Sequence, residues 1–179
     1  MLPLRMTGWT LLLAILAVLP ATGCGPSSQA ATGRGTAVVV FVDFSESIRS
    51  ETRTLFRQDI DNRIVPSLSA GDRLLIAPIH DKTLTEFRPL VEANFPAKPA
   101  FSGWFDNVLD YNRQVKEIEA QVAGLQEKVK TQVAEVFGRR YGSMQTDIFS
   151  SLVIAQKLFH NEPRRKVLVL MSDMIEDHP

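Results

Sequence analysis

Asp43, Ser45 and Ser47 stand at alternate positions directly after an unbroken apolar run, in "VVVFVDFSESIRS" (residues 38–50). Further along, Thr146 opens a helical pattern, and Asp173 closes a second apolar run, "VLVLMSD". Carboxylate and hydroxyl oxygens are hard donors. A set of them without cysteine or an evident histidine suits Mg²⁺, with Mn²⁺ or Ca²⁺ as alternatives. Three chemistries compete for these residues: helix capping, nucleophilic catalysis and a cradle for a cation.

Capping accounts for the residues one at a time. Ser47 or Ser50 could cap the helix that follows, and Thr146 with Asp147 makes a good helix start. It does not account for five such residues placed together. Catalysis is the weakest of the three. An aspartyl nucleophile for phosphoryl transfer wants a second acid where Ser45 stands. No GxSxG turn, glycine-rich phosphate loop or HExxH helix occurs, and none of the three histidines has a persuasive partner. The chain is therefore not read as an enzyme.

Something must bring these positions together. "TAVVVFVD" is β-prone and apolar on both faces, as in a central parallel strand covered on both sides. An amphipathic helix follows, with Ile48, Leu55, Ile60 and Ile64 on one face, Arg49, Arg53 and Arg57 on another, and a stop near Pro66. "GDRLLIAPI" predicts a second buried strand behind a Gly-Asp turn, and "KTLTEFRPL" a short strand towards an edge. "VEANFPAKPAFSGW" reads as a proline-broken connection.

Apolar residues every three or four positions, from Val115 to Val136, then predict a long helical stretch over residues 105–140. Gly124 within it marks a bend or a tolerated defect. The stretch after Thr146 predicts another helix, with Ile148, Leu152, Ala155 and Phe159 on one side, and "RRKVLVLMSDMIED" a third buried strand. This order argues an α/β fold: a doubly wound, mostly parallel sheet with helices on both faces. In such sheets ligands gather beyond the carboxyl ends of the strands. Asp43, Ser45, Ser47, Thr146 and Asp173 would then share one edge. His80 and Asp81, in "PIHDKT", fall on the same edge and read as a solvated loop.

"DFSES", a threonine at a helix start and "VLVLMSDM" together resemble the von Willebrand factor type A (VWA) domain and its metal-ion-dependent adhesion site (MIDAS). The resemblance covers about residues 36–177. It implies a Rossmann-like sheet, Ser45 and Ser47 as direct ligands of Mg²⁺, and Thr146 as a direct or water-mediated one. Asp43 and Asp173 would hold the ion's waters and orient the hydroxyls. The open coordination position would take an Asp or Glu side chain of a partner protein. The family usually carries further strands and a final helix after the strand bearing Asp173. Here only "MIEDHP" follows, so either the sequence is a fragment lacking the C-terminal strands or the sheet ends on an exposed edge. The stretch 105–140 exceeds the family's usual connection and is read as a helical insertion near the site. A scaffold of the same fold, with a non-functional metal site and contacts made by the insertion, is the second reading.

At 179 residues, 45% hydrophobic and 22% charged, the chain is one globular domain's worth of material. Its zero formal charge gives no reason to expect nucleic acid as a partner. Residues 1–23 read as a signal peptide: Arg5, an apolar run from Trp9 to about Leu19, then small residues. Cys24, the only cysteine, sits where that signal would be cut, and "ATGC" resembles a bacterial lipoprotein lipobox. Lipidation there implies an exported protein anchored to a bacterial membrane. Gly25 implies the outer membrane where two exist. Residues 24–35 read as a flexible tether, and residues 36–179 as the VWA-like domain.

Overall fold

A computed structural model describes residues 35–80, 83–101, 103, 107–139, 141 and 146–175. The expected signal, Cys24 and most of the tether lie outside them, as does Asp81. Four strands form one mixed sheet in the order β3-β2-β1-β4, with β1 at Thr36–Asp43, β2 at Arg73–Ile79, β3 at Val91–Asn94 and β4 at Arg165–Met171. β1 runs parallel to β2 and β4, and β3 runs antiparallel to β2. The α/β class is therefore observed.

β1 sits between two strands, and its β-branched residues alternate between two apolar layers. Val38, Val40 and Val42 enter a cluster with Ile60, Val65, Leu74, Ile76 and Val129. Val39 and Phe41 enter a second with Leu75, Ala77, Ile79, Ile154 and Ala155. The first layer is closed by α1 (Ser50–Asp59), the turns that continue it and α3 (Val108–Gly138); the second by α4 (Ile148–Phe159). Burying a β-branched side chain of this kind is worth about 2 kcal/mol, so the two layers fix β1 as the centre of the fold. Pro78, which has no N–H to give, falls two residues beyond the last β2–β3 pair, Ile76 with Val91.

Five sequence expectations are corrected. "KTLTEFRPL" is not a strand: Thr83, fully buried, closes a turn on His80, its hydroxyl donating to the His80 carbonyl (2.6 Å) and accepting the His80 N–H (2.8 Å). Strand pairing starts only at Val91, so β3 is drawn from the segment expected to be a connection. There Val91 and Ala93 face inward while Glu92 and Asn94 face out. β4 is not buried as its apolar sequence predicts. It lies at the end of the sheet with Val167 and Val169 half-buried and Leu168 exposed, because no described strand pairs with its far side.

The first helical run stops near Pro66 as expected, but its inward face differs. α1 passes through a π-helical turn, Ile60–Ile64, into α2 (Val65–Ser67), where Pro66 sits in the first turn and needs no N–H partner. Phe56 and Ile60 pack inward while Leu55 is exposed. On α4 the inward stripe is Ser151, Ile154, Ala155 and Leu158, and Leu152 faces out. α3 runs unbroken through Gly124. Only its C-terminal half, at Val129, Val133 and Val136, is fully buried.

Candidate metal centre

Ordinary strand geometry delivers the site. In the β1–β4 ladder Val42 pairs with Met171. One residue further, Asp43 and Ser172 are neighbours, and their side chains project to the same side. Ser172 Oγ donates to Asp43 Oδ2 at 2.8 Å. Asp173, one step on, alternates away. It is exposed, and its carboxylate accepts from the Ile175 N–H (3.1 Å), while the Met174 N–H donates to Ser172 Oγ (3.0 Å). These two turns hold Met174 in the left-handed region, at φ 62°.

Asp43 is completely buried and accepts from three directions. The Ser45 N–H reaches Oδ1 (2.8 Å), and the Thr146 and Ser172 hydroxyls reach Oδ2 (3.2 and 2.8 Å). Such a carboxylate is held in one orientation, and its cost of burial is offset by donors supplied from three separate parts of the chain. Ser45 is equally buried, and its Oγ lies 2.8 Å from Ser47 Oγ at the solvent edge. The structure thus links Asp43, Ser45, Ser47 and Thr146 into one network. Asp173 stands beside it on the backbone but is not bonded into it. Ser172, which the sequence reading did not single out, takes the contact with Asp43. The ladder register, read one residue past the strand end, is the signal that would have found it.

Capping does not occupy these side chains. The residue at the start of α1 is Arg49, which contributes no side-chain cap. α4 is capped by Asp147, whose Oδ1 accepts from the Ser150 N–H at 2.8 Å, leaving the Thr146 hydroxyl for Asp43.

The loop is also held from outside. Arg53 on α1 donates from Nη2 to the carbonyls of Phe44 (2.9 Å) and Ser45 (2.7 Å). Phe44 packs against the end of α3: Phe137 meets it edge-on at 5.2 Å, and Tyr141 stacks on it at 4.4 Å. The long helix therefore touches the site loop through its C-terminal end. His80 is engaged in its own turn with Thr83.

Among the described residues no three His, Cys, Asp or Glu side chains gather as they would around a carboxylate- or imidazole-rich metal site. A cation here would have to be held by hydroxyls with one carboxylate behind them. The donor set fits a hard cation: every oxygen is a hydroxyl or a carboxylate. The 2.8 Å between Ser45 and Ser47 is close to the separation of about 2.9 Å between adjacent oxygens of an Mg²⁺ octahedron.

Among the described residues no helix is long and apolar enough to cross a membrane. No protein-family model matches the chain, and no curated protein matches it.

Proposed function

We propose that the chain is a VWA-type binding module that holds Mg²⁺ at a MIDAS-like site and captures a partner protein through an Asp or Glu side chain. One observation carries the reading: the buried Asp43 gathers Ser45, Thr146 and Ser172, and the exposed Ser47 hydroxyl, against Ser45 Oγ, brings this network out to solvent. In this reading Ser45, Ser47 and Thr146 offer neutral oxygens to the ion. Asp43 orients Thr146 and the Ser45 backbone, and Asp173 holds water at the solvent side. Neutral ligands leave the cation short of negative charge, which is what draws an external carboxylate. The module binds and releases without turnover.

The same reading places the domain in a doubly wound sheet of the VWA kind, with a lipid on Cys24 and residues 24–35 as its tether to a bacterial membrane, the outer one where two exist. Peptides displaying an exposed Asp or Glu should be retained by the immobilised protein in Mg²⁺ and released by EDTA. Retention should also fail with Ser45→Ala. Equal retention in EDTA would contradict the metal-mediated mode.

The second reading, a scaffold that binds through residues 105–140, has an observation of its own. The N-terminal half of α3 stands off the core and leaves Val108 and Leu109 exposed. Partner binding that survives EDTA and Ser45→Ala, but not Leu109→Lys, would favour it.

A further inference from the structure

Arg53 has a second side. Its Nη2 is committed to the site loop, but its buried Nε has no hydrogen-bond partner among the described residues. It lines a groove of about 400 Å³ between α1 and the C-terminal end of α3. Ser50, Thr54 and Arg57 form one wall with it, Arg139 forms the other, and Ala134, Phe137 and Gly138 supply an apolar floor. Among the described residues no acid lines the groove. Arg57 pairs with Asp61 at 3.4 Å, and among the described residues neither Arg53 nor Arg139 has an acidic partner. Arg53 and Arg57 belong to the arginine stripe on α1, one helical turn apart; Arg53 also braces the site loop, whereas Arg57 and Arg139 take no part in the metal centre.

Three guanidiniums around one concave, acid-free surface create a positive field that falls off within about 8 Å at physiological salt, so it acts on what docks there and not at long range. We propose that this groove is a docking subsite for an acidic, extended segment of the partner protein, continuous with the metal centre through Arg53. The claim that one partner spans both places rests on the metal reading; the groove itself does not. Guanidinium forks favour carboxylates in paired geometry. The apolar floor suits a peptide side chain between two acids. A membrane surface is less well matched: the charges surround a concave groove, and no described lysine lines it.

The test uses the full chain and a labelled hexaglutamate peptide, followed by fluorescence anisotropy in EDTA and again in Mg²⁺, with hexalysine as control. Arg53 is left intact because it holds the site loop. Wild type and Ser45→Ala should bind hexaglutamate equally in EDTA. Arg57→Gln/Arg139→Gln should bind about tenfold more weakly, with an unchanged melting temperature. Mg²⁺ should tighten binding by wild type but not by Ser45→Ala. Equal binding by the double variant and wild type, no saturable binding in EDTA, or equal binding of hexalysine would overturn the subsite. Arginine-dependent binding to phosphatidylglycerol vesicles but not to the peptide would overturn it in favour of a membrane surface. If the arginines matter and Mg²⁺ adds nothing, the metal reading fails and the groove stands.

Discussion

Thr146 Oγ1 donates to Asp43 Oδ2 at 3.2 Å, joining residues 103 positions apart at a place where both side chains are fully buried. This contact closes the network between the end of β1 and the start of α4. Helix capping gives no account of it, since Asp147 already caps α4.

Among the described residues Asp43 alone accepts the Ser45 N–H and the Thr146 and Ser172 hydroxyls, so replacing it strands several donors at once. Asp43→Ala should cost about 3 kcal/mol, whereas Ser172→Ala should cost about 1 kcal/mol, by urea unfolding. Only the first should also remove cation binding. Ser172 is occupied with Asp43 and the Met174 N–H, so its loss should leave Mg²⁺ affinity within about threefold of wild type.

Arg53 links α1 to the consecutive carbonyls of Phe44 and Ser45. Arg53→Ala should destabilise by about 2 kcal/mol and weaken Mg²⁺ binding, because the loop that aims Ser45 and Ser47 loses its outer support. Arg53→Lys offers a single point donor in place of a planar fork and should restore only part of both. Full Mg²⁺ affinity in a folded Arg53→Ala protein would show that the loop holds its shape alone.

Tyr141 stacks on Phe44, yet its hydroxyl is buried without a hydrogen-bond partner among the described residues. Tyr141→Phe should keep the stack and remove an unsatisfied group, leaving stability unchanged or up to about 1 kcal/mol higher. Burial also raises the Tyr141 pKa above its ordinary 10.0, against a smaller lowering by Arg139. The folded state therefore holds this proton more tightly than the unfolded chain. The protonated tyrosine's contribution is intact below pH 10 and is lost as pH rises from there through the folded pKa. Melting temperatures at pH 9 and 11 should fall less for Tyr141→Phe than for wild type.

The two central strands were legible because Val, Ile, Leu and Phe fill both faces of "TAVVVFVD" and "RLLIAPI", which only a doubly covered strand requires. β3 was not. "KTLTEFRPL" alternates as well as "VEAN" does, and the choice between them is made by Thr83 closing a turn on His80, a contact local pattern cannot rank. β4 shows the reverse: its sequence is that of a buried strand, but burial depends on what lies on its far side. In the site, alternate spacing exposed Asp43, Ser45 and Ser47. Ser172 was missed, because only the ladder register shows that strand alternation sends it towards Asp43, with Asp173 pointing away.

The central claim is that the oxygens around Asp43 hold a hard cation. The most direct test is titration calorimetry of Mg²⁺ into wild type, Ser45→Ala and Thr146→Ala, with circular dichroism establishing that all three are folded. Wild type should show one saturable site, lost in Ser45→Ala and weakened at least tenfold in Thr146→Ala. A folded wild type that takes up no Mg²⁺ or Mn²⁺, or that binds either ion equally well without the Ser45 hydroxyl, would contradict it.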